Sequence, residues 1–140
     1  MNRTLAILKP DCIKRNLVGE VLTRIQKANF KISGMKMVRL SMETAGQFYG
    51  AHKERSFYSE LIHFMTSGAC IVMVLEKENA SREFRKLIGA TDPREAMPGT
   101  IRRDFAESKR ENIVHGSEHV EDAAREISFF FSGHELIELS

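Results

Sequence analysis

Six consecutive residues, Cys70-Ile71-Val72-Met73-Val74-Leu75, make the most continuous apolar run in the chain. A strand without polar alternation has no face to offer water, so it belongs in the middle of a sheet with layers packed on both sides. The remaining segments have to be arranged around that buried strand. With 140 residues and 42% hydrophobic content there is material for one sizeable core, and a single domain over residues 1–140 is expected.

Residues 4–8 form a short apolar run that Lys9-Pro10-Asp11 stops, because proline cannot continue a central strand. Val18, Val21, Leu22, Ile25 and Ala28 mark one helical face, and residues 32–40 return to strand character, rich in Met and Val. Ser41 can cap a helix reaching Phe48 and Tyr49; Phe57, Leu61, Phe64 and Met65 suggest a second helix ending at Ser67-Gly68, which together make a helical hairpin. After the central run, Asn79 is the expected cap of a helix that carries Phe84, Leu87 and Ile88 to a stop at Gly89. Residues 90–112 read as a long loop with only Ile101 and Phe105 as apolar anchors, and a loop of that length in a compact domain is usually functional. Ile113 and Val114 then suggest a brief strand, Gly116 a turn, and Ser117 the N-cap of a last helix carrying Val120, Ala123, Ala124, Ile127, Phe130 and Phe131, with Gly133 as its C-cap. This order fits an α+β, ferredoxin-like βαββαβ sandwich with an antiparallel four-stranded sheet and an inserted helical hairpin and loop.

His115 stands between that brief strand and the helix start. A single histidine is more often structural than catalytic, but a side chain held between two rigid elements can face a cleft, as a nucleophile must. Lys9, Arg85 and Arg102 are cations at element ends, with Thr91 and Asn112 beside them, a set suited to a polyphosphate. Phosphoryl transfer asks a protein mainly for charge neutralisation and in-line placement. The 21 basic residues are nearly balanced by 19 acidic ones, which argues against dedicated nucleic-acid binding. Cys12 and Cys70 have no metal-ligand spacing and are too few for a disulfide scaffold; with no signal peptide and no membrane-length apolar window, the expectation is a soluble cytoplasmic protein. His115 and His119 lack a third ligand for zinc, and neither a Gly-x-Ser-x-Gly elbow nor a phosphate-binding Gly-x4-Gly-Lys loop occurs.

Several separate motifs, in order, resemble the nucleoside diphosphate kinase family along nearly the whole chain. Asn112-Ile113-Val114-His115-Gly116-Ser117 matches that family's Asn-x-x-His-Gly-Ser signature, joined by Lys9-Pro10-Asp11, Phe48-Tyr49, the 64–68 segment, Gly89-Ala90-Thr91-Asp92-Pro93 and Pro98-Gly99-Thr100-Ile101-Arg102. The resemblance implies a ping-pong exchange in which a nucleoside triphosphate phosphorylates His115, and the phosphohistidine then phosphorylates another nucleoside diphosphate, with Mg2+ on the phosphates. It implies catalytic roles for His115, Glu126, Ser117, Lys9 and Tyr49. For the substrate it implies Lys9, Arg85, Thr91, Arg102 and Asn112 on phosphates and sugar hydroxyls, Phe57 against the base and Leu61 nearby. It also implies ribo- and deoxyribonucleotide substrates, broad base tolerance, and a homo-oligomer, tetramer or hexamer, built from dimers. Three residues depart from the family's usual pattern: Ser56 for a proline, Glu118 for an aspartate, and Arg103 for a small residue, expected to meet only water. The rival reading is a non-enzymatic nucleotide or nucleic-acid binding module on the same scaffold.

Overall fold

The 70–75 run takes the central place that its composition demands. The computed structural model of the chain describes residues 2–138. Its elements run β1 (Asn2–Leu8), α1 (Pro10–Lys14), α2 (Val18–Lys27), β2 (Lys31–Val38), α3 (Met42–Phe48), α4 (Tyr58–Met65), β3 (Cys70–Lys77), α5 (Ala80–Ile88), α6 (Ile101–Phe105), β4 (Val114–Gly116) and α7 (Val120–Phe130). The sheet order is β2-β3-β1-β4 and every pairing is antiparallel, the α+β arrangement expected from the sequence.

β1 and β3 are buried on both faces, and their alternate residues feed two cores, as the two-residue period of a strand requires. Ala6, Leu8, Met73 and Leu75 pack with Val21 and Ile25 of α2 and Phe84 and Ile88 of α5. Leu5, Ile7, Val72 and Val74 pack with Ala45 and Phe48 of α3, Ile62 and Met65 of α4, and Phe131. The inserted hairpin therefore covers the face that α2 and α5 leave open. Its start is set locally: the Ser41 side chain accepts the Thr44 N–H at 3.0 Å, the cap read from the sequence.

Elsewhere tertiary packing overrides the local signals. Pro10 ends the strand but also opens the five-residue α1, where its missing N–H costs nothing. The 90–112 segment contains α6, whose N-cap Thr100 accepts the Arg103 N–H at 3.3 Å. Asn79 precedes α5 in a left-handed conformation (φ 53°) and makes no side-chain cap; Asn2 Oδ1 accepts the Ala80 N–H instead, at 2.7 Å. Ser117 is fully buried and His119 takes the N-cap position of α7. Val120, counted on the apolar face of that helix, is 61% exposed. Gly133 is not the C-cap either: α7 ends at Phe130, the chain extends so that Phe131 can enter the core, and Gly133–Glu135 form a 3-10 turn.

Gly116 was expected to release a turn, yet it lies inside β4 opposite Ala6. A Cβ there would sit 2.7 Å from Phe84 Cδ2 and 3.2 Å from Ile88 Cδ1. Glycine is required because α5 packs directly onto that edge strand. Gly116→Ala should therefore lower unfolding free energy by about 1–3 kcal/mol, as overpacking a dense core does. Chemical denaturation measures it, and adding Phe84→Leu should recover part of the loss if the clash is the cause.

Candidate active site

Strand pairing decides where the histidine points. His115 stands opposite Ile7, and Gly116 opposite Ala6. Directly paired residues share a face, so His115 faces the α3–α4 hairpin and Gly116 faces α5. The Phe48 ring of α3 meets the imidazole edge to face at 5.6 Å.

Glu126 projects from α7 to the same point. His115 Nε2 lies 2.7 Å from Glu126 Oε1, the Ser117 hydroxyl donates to that oxygen at 2.9 Å, and Ser117 Oγ accepts the Leu5 N–H at 3.3 Å. The carboxylate is only 6% exposed, and an ionised carboxylate only accepts. Nε2 is thereby assigned the ring proton, leaving Nδ1 with the lone pair. Burial holds the His115 pKa below the ordinary imidazole value of about 6.5; the hydrogen bond and charge of Glu126 work against that, while Lys9 and Arg102 reinforce it.

A cleft of about 290 Å³ is lined by Lys9, Phe57, Leu61, Thr91, Lys109 and Arg110. Lys9 follows β1 at the N-cap of α1 and donates from Nζ to Asn112 Oδ1 at 2.7 Å; the Asn112 amide donates to the Lys109 carbonyl at 2.8 Å. Burial, with Arg102 nearby, lowers the Lys9 pKa to about 7. Arg102 is 4% exposed and donates to the Gly89 carbonyl at 3.0 Å and the Val114 carbonyl at 2.8 Å. Burial and the neighbouring Arg85 lower its pKa to about 10, so it stays charged at neutral pH. Among the described residues neither Lys9 nor Arg102 forms an ion pair. The charge of Asp11 partly supports Lys9, but among the described residues no carboxylate touches either cation, and two such buried cations are an electrostatic cost in the free protein and a ready site for an anion.

Of the expected site residues, Lys9, Phe57, Leu61 and Thr91 line this cleft, while His115, Ser117, Glu126, Asn112, Arg85, Arg102 and Tyr49 do not. Arg102 lies near the histidine electrostatically and is tied to β4 through Val114; Arg85, on the last turn of α5, faces Arg102. Tyr49 packs edge to face on Phe48 at 4.9 Å, with a buried hydroxyl that has no hydrogen-bond partner among the described residues, and burial raises its pKa.

Lys109, Arg110 and Phe48 were missed as site residues. The first two read only as loop signals, and Phe48 as the end of a helix and part of a family motif, without a role of its own. Arg103, expected to meet only water, instead donates to the Ala96 carbonyl at 3.0 Å and braces the loop.

A sequence model of the family "Nucleoside diphosphate kinase" matches residues 2–136. A nucleoside diphosphate kinase of Chloroherpeton thalassium is 61% identical over 137 residues, covering 98% of this chain and 97% of that relative. Among solved structures, the Aquifex aeolicus nucleoside diphosphate kinase superposes with a TM-score of 0.95 at 42% identity, covering 97% of this chain and 99% of the other. This chain belongs to the nucleoside diphosphate kinase family. A Halobacterium salinarum nucleoside diphosphate kinase in complex with CDP also superposes with a TM-score of 0.95, at 38% identity over 99% of this chain and 93% of that one. As a nucleoside diphosphate kinase the chain is a phosphotransferase that acts on nucleoside di- and triphosphates, and the family's chemistry uses a divalent cation. A non-enzymatic binding module is not favoured. Among the described residues no helix is long and apolar enough to cross a membrane.

The His115 environment sets a pH dependence. Because its folded pKa is depressed, the stability that the neutral ring contributes is fully present above about pH 6.5 and is lost as pH falls through the folded value. Imidazole nitrogen NMR should place the midpoint below about 6.5, and Glu126→Gln should lower it further by removing the main raising influences. A midpoint that rises in Glu126→Gln contradicts this electrostatic assignment.

Proposed function

We propose that His115 is the nucleophile of a ping-pong exchange, and that the observation carrying this reading is the Ser117–Glu126–His115 hydrogen-bond chain, which leaves Nδ1 free. In the first half-reaction the Nδ1 lone pair attacks the γ-phosphorus of a nucleoside triphosphate. The Nδ1–P bond forms, the bond from that phosphorus to the β,γ-bridging oxygen breaks, and the diphosphate leaves with the electron pair. Nε2 keeps its proton, and Glu126 stabilises the positive charge that grows on the ring. In the second half-reaction a terminal phosphate oxygen of another nucleoside diphosphate attacks the phosphohistidine, and the ring leaves as neutral imidazole.

Lys9, Arg85 and Arg102 neutralise the moving phosphoryl group, Tyr49 supplies a hydroxyl donor, and Thr91 and Asn112 hold phosphate and sugar oxygens. Phe57 and Leu61 offer the base an aromatic face and an apolar side chain with no hydrogen-bonding edge, which favours nucleotides of any base, and the proposal takes in both ribo- and deoxyribonucleotides; CDP, bound by the Halobacterium relative, is of this class. The side chains around the phosphate position are cations, and among the described residues no group of three or more His, Cys, Asp and Glu could hold a metal ion. This suits Mg2+ carried in on the nucleotide, where it would neutralise phosphate charge.

The proposal extends to the whole chain, read as one domain over residues 1–140 and a homo-oligomer, tetramer or hexamer, built from dimers. Met35 and Met37 are 46% and 61% exposed on the edge strand β2, apolar surface of the kind that interfaces cover. Buried, unpaired Cys12 and Cys70 suit a reducing, cytoplasmic setting.

Incubation with γ-labelled nucleoside triphosphate tests the mechanism. The expected product is an acid-labile, alkali-stable label that His115→Ala abolishes and that Glu126→Gln slows by roughly ten- to a thousandfold. Label persisting in His115→Ala removes the nucleophile. Light scattering tests the assembly, which a concentration-independent monomer contradicts.

A further inference from the structure

Ile113 is a buried, β-branched residue held at φ +75°, in the left-handed region that such side chains avoid. The Val114 N–H donates back to the Asn112 carbonyl at 2.8 Å, closing a three-residue γ-turn of the strained, positive-φ kind centred on Ile113. A strained turn persists only where its surroundings over-determine it. Here both polar groups of Ile113 are held from the β1–α1 corner, about a hundred residues away in sequence: the Lys9 N–H donates to the Ile113 carbonyl at 2.8 Å, and the Ile113 N–H donates to Asp11 Oδ2 at 3.1 Å. Asn112, the first residue of the turn, meets Lys9 Nζ; His115 follows directly after the turn.

Asp11 is 5% exposed, and its second oxygen, Oδ1, is buried with no partner among the described residues. Burial raises its pKa, so the protein keeps a carboxyl group in a place that penalises its charge. An acidic residue in the first turn of a five-residue helix does not require a reach across to the opposite loop. We propose that Asp11 is a positioning residue for phosphoryl transfer: its carboxyl oxygen locks the Ile113 turn and so sets where Asn112 and His115 stand relative to Lys9. Acceptor geometry carries this role, not charge. The inference rests on His115 being the nucleophile.

Two substitutions separate the possibilities. Asp11→Ser keeps a residue favoured at helix starts but is too short to reach the Ile113 N–H. Asp11→Asn keeps an oxygen acceptor of the same reach and removes the charge. Phosphoenzyme formation from labelled ATP is followed by rapid quench at saturating nucleotide, normalised to the folded fraction from near-UV circular dichroism, with nucleotide affinity measured separately and His115→Ala run in parallel. Asp11→Ser should slow labelling by about tenfold or more, a larger factor than its loss of affinity, because misplacing a reacting group costs rate. Asp11→Asn should restore labelling to within about threefold of the parent. Normal labelling per folded molecule in Asp11→Ser, beside a silent His115→Ala, overturns the inference alone. Asp11→Asn as slow as Asp11→Ser also overturns it, since charge would then be the operative property. Label persisting in His115→Ala overturns the nucleophile and this inference with it.

Discussion

The register of β1 against β4 is the constraint on which the site depends. β4 is only three residues long, and its pairing puts His115 opposite Ile7 and Gly116 opposite Ala6. A slip of one residue exchanges the two faces. The imidazole would then press on Phe84 and Ile88, where even a methyl group does not fit, and the glycine would face the hairpin. Core packing against α5 therefore excludes the wrong register, and the stability of one face enforces the chemistry of the other. β1 can act as this reference because Leu5, Ala6, Ile7 and Leu8 are wholly buried and because β3 pairs along its entire length.

Around His115 the buried charges without a direct ion-pair contact are positive. Glu126 is spent on His115 and Ser117, while Lys9 and Arg102 are buried with only amide and carbonyl oxygens as partners. Carbonyl dipoles orient a guanidinium but do not cancel its charge, so a positive potential remains where water is excluded. Depressed pKa values at Lys9, Arg102 and His115 record that strain in three chemically different groups. Burial is the first cause in each case, and the neighbouring cations add to it; an anion placed among these groups would offset that mutual repulsion.

Much of this was legible in the chain. The uninterrupted 70–75 run fixed the central strand, Ser41 capped α3, and Gly89 stopped α5 in a positive-φ conformation, because each signal is local and matches its surroundings. His115, Lys9, Asn112, Glu126 and Ser117 were named from motif positions, and the structure brings them together. What escaped was decided by distant partners. Asn79 lost its capping role to Asn2, the first residue of β1. Ser117, with good N-cap chemistry, is drawn into the core by Glu126 and the Leu5 N–H. Asp11 looked like part of a strand stop; its partner, the Ile113 N–H, is visible only once the fold has closed.

The two neighbouring arginines show why the loop had to contain a helix. Taken alone, Arg102 and Arg103 are chemically identical, and in sequence either could be the buried one. Within α6 successive side chains are turned about 100° apart, so one position can face inward only if the next faces elsewhere. Ile101 and Arg102 are buried, and Arg103 turns back to the Ala96 carbonyl. Thr100 sets the phase of that helix by capping it, and Arg24 of α2 secures it from outside, reaching the Gly99 carbonyl at 3.1 Å and Asp104 at 2.6 Å while lying 4.7 Å from the centre of the Phe105 ring. The positioning of Arg102 is therefore not a property of the arginine. It follows from a threonine two residues earlier and from an arginine on another helix, which together make a five-residue segment rigid enough to hold a buried charge.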